Sequence, residues 1–337
     1  MKSRSVFLFV LSLVGVLLLI GCGQPDSGNP KIAFVSNSFA SFWTIAQRGV
    51  EKAGADLGVD AEVYMPVGGI TDQKRILEDL VTQGVDGIAV SPIAPDDQME
   101  FLNQIAEHTK LITQDSDAPG SNRMVYIGMD NYKAGRMCGE LVKEALPDGG
   151  SIMIFVGRIE QDNARRRRQG VIDELLGREY DPENFDPPGK VLSGGGFEIL
   201  GTMTDQFDRA KGKANVEDTL SRYPDIKGMV GLFVYNPPLA LEALEQAGKL
   251  GQVKVIAFDE AESTLQGIID GTVHGTVVQD PYMYGYKSVE VLKQIIDGDL
   301  SSIPENKFID IPARYILRDN VEAFWADLKE KIVDDAE

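Results

Sequence analysis

Residues 125–135 constrain this chain more than any other stretch. Val125, Ile127 and Met129 alternate with Tyr126, Gly128 and Asp130, and Asp130 or Asn131 then offers an N-cap for a helix over 132–146. Before this stretch, apolar strands alternate with amphipathic helices; after it, the same alternation starts again. A strand leaving one layered unit and a helix opening the next predict two similar α/β lobes joined at a hinge. Function should then be decided in the cleft between them.

In the first half, strands are expected at 31–35, 61–67, 87–92 and 110–114, with helices over 42–57, 72–83 and 96–108. Phe42, Ile45, Ala46, Val50, Ala53 and Leu57 recur at helical spacing, and Gly58 closes that helix. In the second half, strands are expected at 151–156, 190–193, 229–235, 253–258 and 272–278. Helices fall near 164–176, 209–221, 239–247, 263–270 and 282–297, with an extended segment at 308–316 and a terminal helix at 321–332. Strands spaced by such helices read as βαβ units, so each lobe is a doubly wound parallel sheet.

The first residues point to export. Lys2 and Arg4 precede an uncharged apolar run at 6–20, shorter than the ~20 residues of a membrane span. Leu19-Ile20-Gly21-Cys22 then reads as a lipobox. A lipoprotein signal peptide at 1–21, an acylated Cys22 and a Gly/Pro/Ser-rich tether at 22–30 are expected. That places the protein at the periplasmic face or cell envelope of a bacterium, anchored to a membrane by lipid. Cys138, among Met137, Leu141 and Val142, reads as a small buried residue.

A formal net charge of -19 argues against nucleic acid. The run Arg165–Arg168 forms no stripe, because consecutive helical residues point to different faces. Gly194-Gly195-Gly196 lacks a dinucleotide or phosphate-loop spacing and reads as a turn. His108 and His274 sit in no metal-ligand spacing, and neither a calcium loop nor a nucleophile elbow occurs, so no metal and no cofactor is expected.

Ligands of open α/β sheets bind at the carboxyl ends of strands. Those ends carry Phe42 and Trp43, Asp115, Arg165, Asn236, Asp259 and Gln279. Rings suit the C–H faces of a sugar; carboxylate, amide and guanidinium groups suit its vicinal hydroxyls.

Here the chain resembles the periplasmic sugar-binding proteins of ABC transporters, of the ribose-binding type, from about Lys31 onward. The likeness rests on Phe42-Trp43, Ile112-Thr113-Gln114-Asp115, Gly128-Met129-Asp130-Asn131 with Gly135, and Ala164-Arg165-Arg166-Arg167 followed by Gly170. Phe207-Asp208-Arg209, Tyr223-Pro224-Asp225, Asn236, Ala257-Phe258-Asp259 and Val278-Gln279 extend it. The resemblance implies a type I periplasmic binding protein fold with a three-segment hinge near Asp130, Gln279–Asp280 and Phe308. One lobe would hold 31–130 and 280–307, the other 131–279 and 308–337. It implies that Phe42 and Trp43 sandwich a sugar while Asp115, Arg165, Asn236, Asp259 and Gln279 bond its oxygens. The partners implied are a monosaccharide and an ABC permease, with a monomeric receptor that is not an enzyme.

Ala40-Ser41, Ser116 and Pro237 depart from the Asn-Pro, Arg and Asp usual in ribose binders. Losing an Asn and an Arg removes ligand-bonding groups, which argues against ribose while leaving a sugar. Three other readings share the cleft: a glycoside hydrolase using Asp115 and Asp259 as acid and base, a receptor for a nucleoside or signalling polyol, and a sugar-responsive repressor. The leader and the lack of a basic headpiece disfavour the last.

Overall fold

The computed structural model describes residues 28–332; Cys22 and the leader lie outside them. In chain order the elements are β1 (Lys31–Val35), α1 (Ser41–Leu57), β2 (Asp60–Tyr64), α2 (Gly69–Thr82), β3 (Gly87–Val90), α3 (Pro95–His108), β4 (Lys110–Gln114) and β5 (Tyr126–Gly128). They continue with α4 (Asn131–Ala145), β6 (Gly150–Val156), α5 (Asp162–Leu176), β7 (Leu192–Gly194), β8 (Phe197–Thr204), α6 (Arg209–Arg222), β9 (Gly228–Gly231) and α7 (Asn236–Gln246). The last are β10 (Lys254–Phe258), α8 (Glu262–Asp270), β11 (Gly275–Val278), α9 (Pro281–Ile296), β12 (Phe308–Asp310), β13 (Arg314–Ile316) and α10 (Val321–Ile332).

Two sheets result, ordered β12-β5-β4-β3-β1-β2 and β13-β11-β10-β9-β6-β8-β7. Read from β2 and from β8, the orders correspond strand for strand, so the two α/β lobes share one topology. The first sheet is parallel throughout. In the second, β13 and β7 run antiparallel to their neighbours. Each central strand is apolar on both faces because helices cover both. Ile32 and Phe34 of β1 enter one core, Ala33 and Val35 the other. Ile256 and Phe258 of β10 are likewise separated from Val255 and Ala257.

The chain crosses between sheets three times. The first crossing ends at Asp130, whose side chain caps α4 by accepting from the Lys133 amide. The second is Gln279–Asp280, between β11 and α9. The third corrects the sequence reading, which began the second lobe's last segment at Phe308. Phe308, Ile309 and Asp310 pair with Tyr126, Ile127 and Gly128 of the first sheet, so the crossing is at 311–313. A second correction concerns the edge of the second lobe. The strand expected at 190–193 is an edge strand only, and β8 pairs parallel with β6. Gly195 and Gly196, at φ 58 and 86, reverse the chain into that hairpin, which side chains would resist.

Each lobe is anchored by a pair of helices in backbone contact. A Cβ at Gly285 of α9 would lie 2.1 Å from the Ala46 carbonyl oxygen of α1. In the other lobe, one at Gly170 of α5 would lie 2.1 Å from the Tyr132 carbonyl oxygen of α4. Buried Cys138 lies on α4. The terminal helix α10 packs Phe324, Trp325 and Leu328 on the second lobe's core. Its other side reaches the first lobe, where Leu328 and Ile45 of α1 line one narrow crevice and Lys331 lies 6.0 Å from the Tyr282 ring.

The helix contact makes a prediction. Gly170→Ala must push α5 off α4 and should lower stability by about 1–3 kcal/mol. Gly189→Ala, at a position with open space around it, should not. Urea midpoints of the two variants check this; equal midpoints would refute the close-contact account.

Candidate ligand-binding cleft

A cavity of about 160 Å³ lies between the lobes, lined by residues at the carboxyl ends of strands from both sheets. Its inner end is built on two aspartates. Asp115 follows β4 at φ 57 and Asp259 follows β10 at φ 67, the left-handed region that Asp tolerates better than most side chains. Both are 3% exposed.

Asp115 Oδ2 accepts from Ser91 Oγ at 2.9 Å, Asn37 Nδ2 at 3.2 Å and Asn163 Nδ2 at 3.3 Å. Asn163 belongs to the other lobe, so this carboxylate already bridges the cleft. Burial raises its pKa, opposed by Arg167 and by the bonds from Ser91 and Asn163. Asp259 Oδ1 accepts from Gln279 Nε2 at 2.8 Å. Burial pushes its pKa up to about 6, opposed by Arg167 and Gln279 and reinforced by Asp115.

Arg167 of α5 is the cation between them. It is 1% exposed. Its Nε donates to Asn131 Oδ1 at 2.8 Å, its Nη1 to the Leu232 carbonyl at 3.3 Å, and its guanidinium lies over the Phe258 ring at 4.2 Å. Nη2 has no hydrogen-bond acceptor and stands 3.7 Å from Asp115 Oδ1. A buried donor without a partner is costly, and a ligand oxygen would satisfy it.

Phe42 and Trp43 wall the first-lobe side, edge to face at 4.9 Å, with Trp43 Nε1 donating to Ser38 Oγ at 3.3 Å. Phe207, Phe233 and Tyr235 wall the other, with Phe207 5.7 Å from Phe233 and 6.3 Å from Tyr235. Asp205 fixes this group. It accepts from the Tyr235 hydroxyl, the Phe207 amide and Asn236 Nδ2.

Of the residues singled out from sequence, Phe42, Trp43, Asp115, Asp259 and Gln279 line this cavity. Arg165 and Asn236 do not. Arg165 lies two residues from Arg167, about 200° around the helix. It pairs with Asp96 of the first lobe at 2.9 Å and lies over the Phe185 ring at 5.5 Å. Asn236 opens α7 with its side chain turned inward, accepting from the Phe233 amide at 3.1 Å and donating to Asp205; Tyr235 takes the cavity position instead. Sequence reasoning also missed Asn37, Asn163 and Phe233, and gave Phe207 no role. A signal for Arg167 was present: Gly170 marks the face of α5 against α4, and Arg167 is three residues before it, on the same face. Among the described residues, no group of three or more His, Cys, Asp or Glu could hold a metal ion.

The profile of the periplasmic binding protein domain family matches residues 32–300. The ribose import binding protein RbsB of Bacillus subtilis is 25% identical, over 88% of this chain and 94% of its own. A solute-binding protein from Burkholderia graminis, solved in complex with D-arabinose, is 28% identical with a TM-score of 0.78, over 88% of this chain and 97% of its own. The glucose-galactose binding protein GanP of Geobacillus stearothermophilus, at 24% identity and TM-score 0.77, covers 87% and 98% and shares the fold.

The site's electrostatics predict an acid-favoured stability. Asp259 titrates near 6 when folded and near its ordinary 3.8 when unfolded. Between those values the folded state holds a proton that the unfolded state has lost. Its contribution is therefore greatest below about pH 4 and disappears as pH rises through about 6, by about 2–3 kcal/mol. Asp162, pushed up to about 6 by burial, acts in the same window. Without ligand, Asp259→Asn should flatten the fall in unfolding midpoint between pH 4.5 and 7; an unchanged slope refutes the assignment.

Proposed function

The chain belongs to the periplasmic binding protein domain family, and on that premise we propose that it is a lipid-anchored sugar receptor of an ABC transporter. Its lobes close on a monosaccharide unit, which it hands to a membrane permease. The observation that carries the reading is Arg167, a residue of the aromatic-walled cavity, set against Asp115 of one lobe and stacked on Phe258 of the other, with its buried Nη2 left without an acceptor.

Two ring walls accept the C–H faces of a pyranose or furanose. Hydroxyls both donate and accept, so one sugar can give protons to Asp115 and Asp259 while offering a lone pair to Arg167. Because those groups come from both lobes, ligand bonds are made together only when the cleft is shut, and closure follows from that differential affinity. Binding suits the geometry better than hydrolysis. One oxygen of Asp115 already accepts three donors and the other faces Arg167. That arrangement holds Asp115 Oδ2 as an engaged acceptor and leaves Oδ1, beside Arg167, to accept from a ligand hydroxyl.

Anchoring at the cell envelope rests on the lipobox ending at Cys22. Fatty-acid labelling of cells should mark the parent and not Cys22→Ser; equal labelling of both would remove the anchor.

A thermal-shift screen against sugars should identify a ligand, since one present at a hundred times its Kd adds ~2.7 kcal/mol. Calorimetry then tests the site. Arg167→Lys keeps the charge but loses the fork and should weaken binding by about 1.5–3 kcal/mol, tenfold to over a hundredfold. Arg165→Lys should stay within about threefold. The reverse ranking would return Arg165 to the ligand site.

A further inference from the structure

The cavity is chemically graded from end to end. Its inner groups, Asp115, Arg167 and Asp259, are nearly inaccessible; at its mouth Phe39 stands 74% exposed on the loop before α1. Facing that mouth from the second lobe are the half-buried Phe207 and Tyr235, while Phe233 lies deeper, 5.7 Å from the Arg167 guanidinium. The aromatic polar tips are already spent on the protein: the Tyr235 hydroxyl on Asp205, the Trp43 indole on Ser38. Burial and Asp205 also push the Tyr235 phenol further from ionising, which leaves it a donor.

The wall is built, not incidental. Gln206 and Phe207 both adopt left-handed backbone, at φ 60 and 66, to present the Phe207 ring. Such conformations are unfavourable for these residue types and persist where surrounding structure imposes them. Arginines back two of the rings, Arg158 5.3 Å from the Phe207 centroid and Arg209 6.0 Å from that of Tyr235. Ser41 and Arg209 also line the exposed part of the cavity, but no carboxylate does, so a hydroxyl placed there meets mostly ring faces and finds fewer acceptors than at the inner end. An apolar or unsaturated group placed there gains contact with the rings, and covers the face that Phe39 exposes.

From this gradient, and resting on the reading of the cleft as a sugar site, we infer that the preferred ligand is amphipathic. It is a sugar whose mouth-facing end carries an apolar or aromatic group in place of a free hydroxyl. A deoxysugar methyl is the smallest such group; the ring of an aryl glycoside or a nucleoside is the largest.

Calorimetry on matched sets tests this. Each set contains a bare sugar, its terminal-deoxy analogue (6-deoxy for a hexose, 5-deoxy for a pentose), its methyl and phenyl glycosides in both anomeric forms and, for ribose, the purine and pyrimidine nucleosides. In at least one set a derivative should bind three- to tenfold more tightly than its bare sugar. Whether the methyl or the ring gives the gain identifies the size of the outer group. In Phe39→Ser, on an exposed loop where folding is insensitive to the change, that ratio should shrink to within twofold. A bare sugar that binds at least as tightly as every derivative in all sets overturns the inference and leaves the sugar reading standing. So does a ratio that Phe39→Ser does not move. Binding by no sugar or derivative overturns both.

Discussion

A guanidinium buried between two lobes is the interaction on which the rest of this molecule depends. Removing such a charge from water costs several kcal/mol unless its neighbours replace the lost solvation. For Arg167 they do so in part: Asn131 Oδ1, the Leu232 carbonyl and the Phe258 ring hold it from within the second lobe. The carboxylate of Asp115 faces it from the first. Separating the lobes removes Asp115 and admits water; bringing them together restores the pair and strengthens it in a lower dielectric. The charge thus makes lobe separation an electrostatic variable. Its position is set in turn by backbone, since a Cβ at Gly135 of α4 would lie 2.0 Å from the Arg167 carbonyl oxygen.

The two lobes reach the same solution from opposite sides. β4 and β10 occupy corresponding places in their sheets, and each ends in an aspartate in left-handed backbone. α1 with α9, and α5 with α4, are pressed together through glycines at corresponding positions. What differs is what the first helix of each lobe presents: Phe42 and Trp43 from α1, Asn163 and Arg167 from α5. A repeated scaffold with different side chains gives the cleft a ring-bearing wall and a polar one. The aromatic group around Asp205 then adds rings at the outer edge of the polar side.

Much of this was legible from residues alone, because it rests on local periodicity. The alternation around Ile127, the stop at Gly58 and the turn at Gly194–Gly196 depend on near neighbours, and they predict the lobes and most strand ends. The failures arise where phase or partner is decided at a distance. Arg165 and Arg167 are told apart only by which face of α5 packs on α4, a partner choice that Gly170 marks but periodicity within α5 does not decide. Asn236 has an amide suited to hydrogen-bonding a ligand, but the Phe233 amide and Asp205 occupy it. Phe308 has the composition of either sheet, and only its register with Tyr126 assigns it.

The terminal helix α10 has a mechanical meaning. It is fastened to the second lobe by Phe324, Trp325 and Leu328, yet it lies against α1 and Tyr282 of the first lobe, beside Asp280 and Arg314, which adjoin two of the crossings. A hinge that widens on one side must narrow on the other. Because α10 is carried by one lobe and packed on the other, any rotation about those crossings must change the α1–α10 contact, and close-packed side chains resist compression far more steeply than they resist separation. The helix thus ties the relative angle of the two lobes to a packing contact that lies outside the cavity.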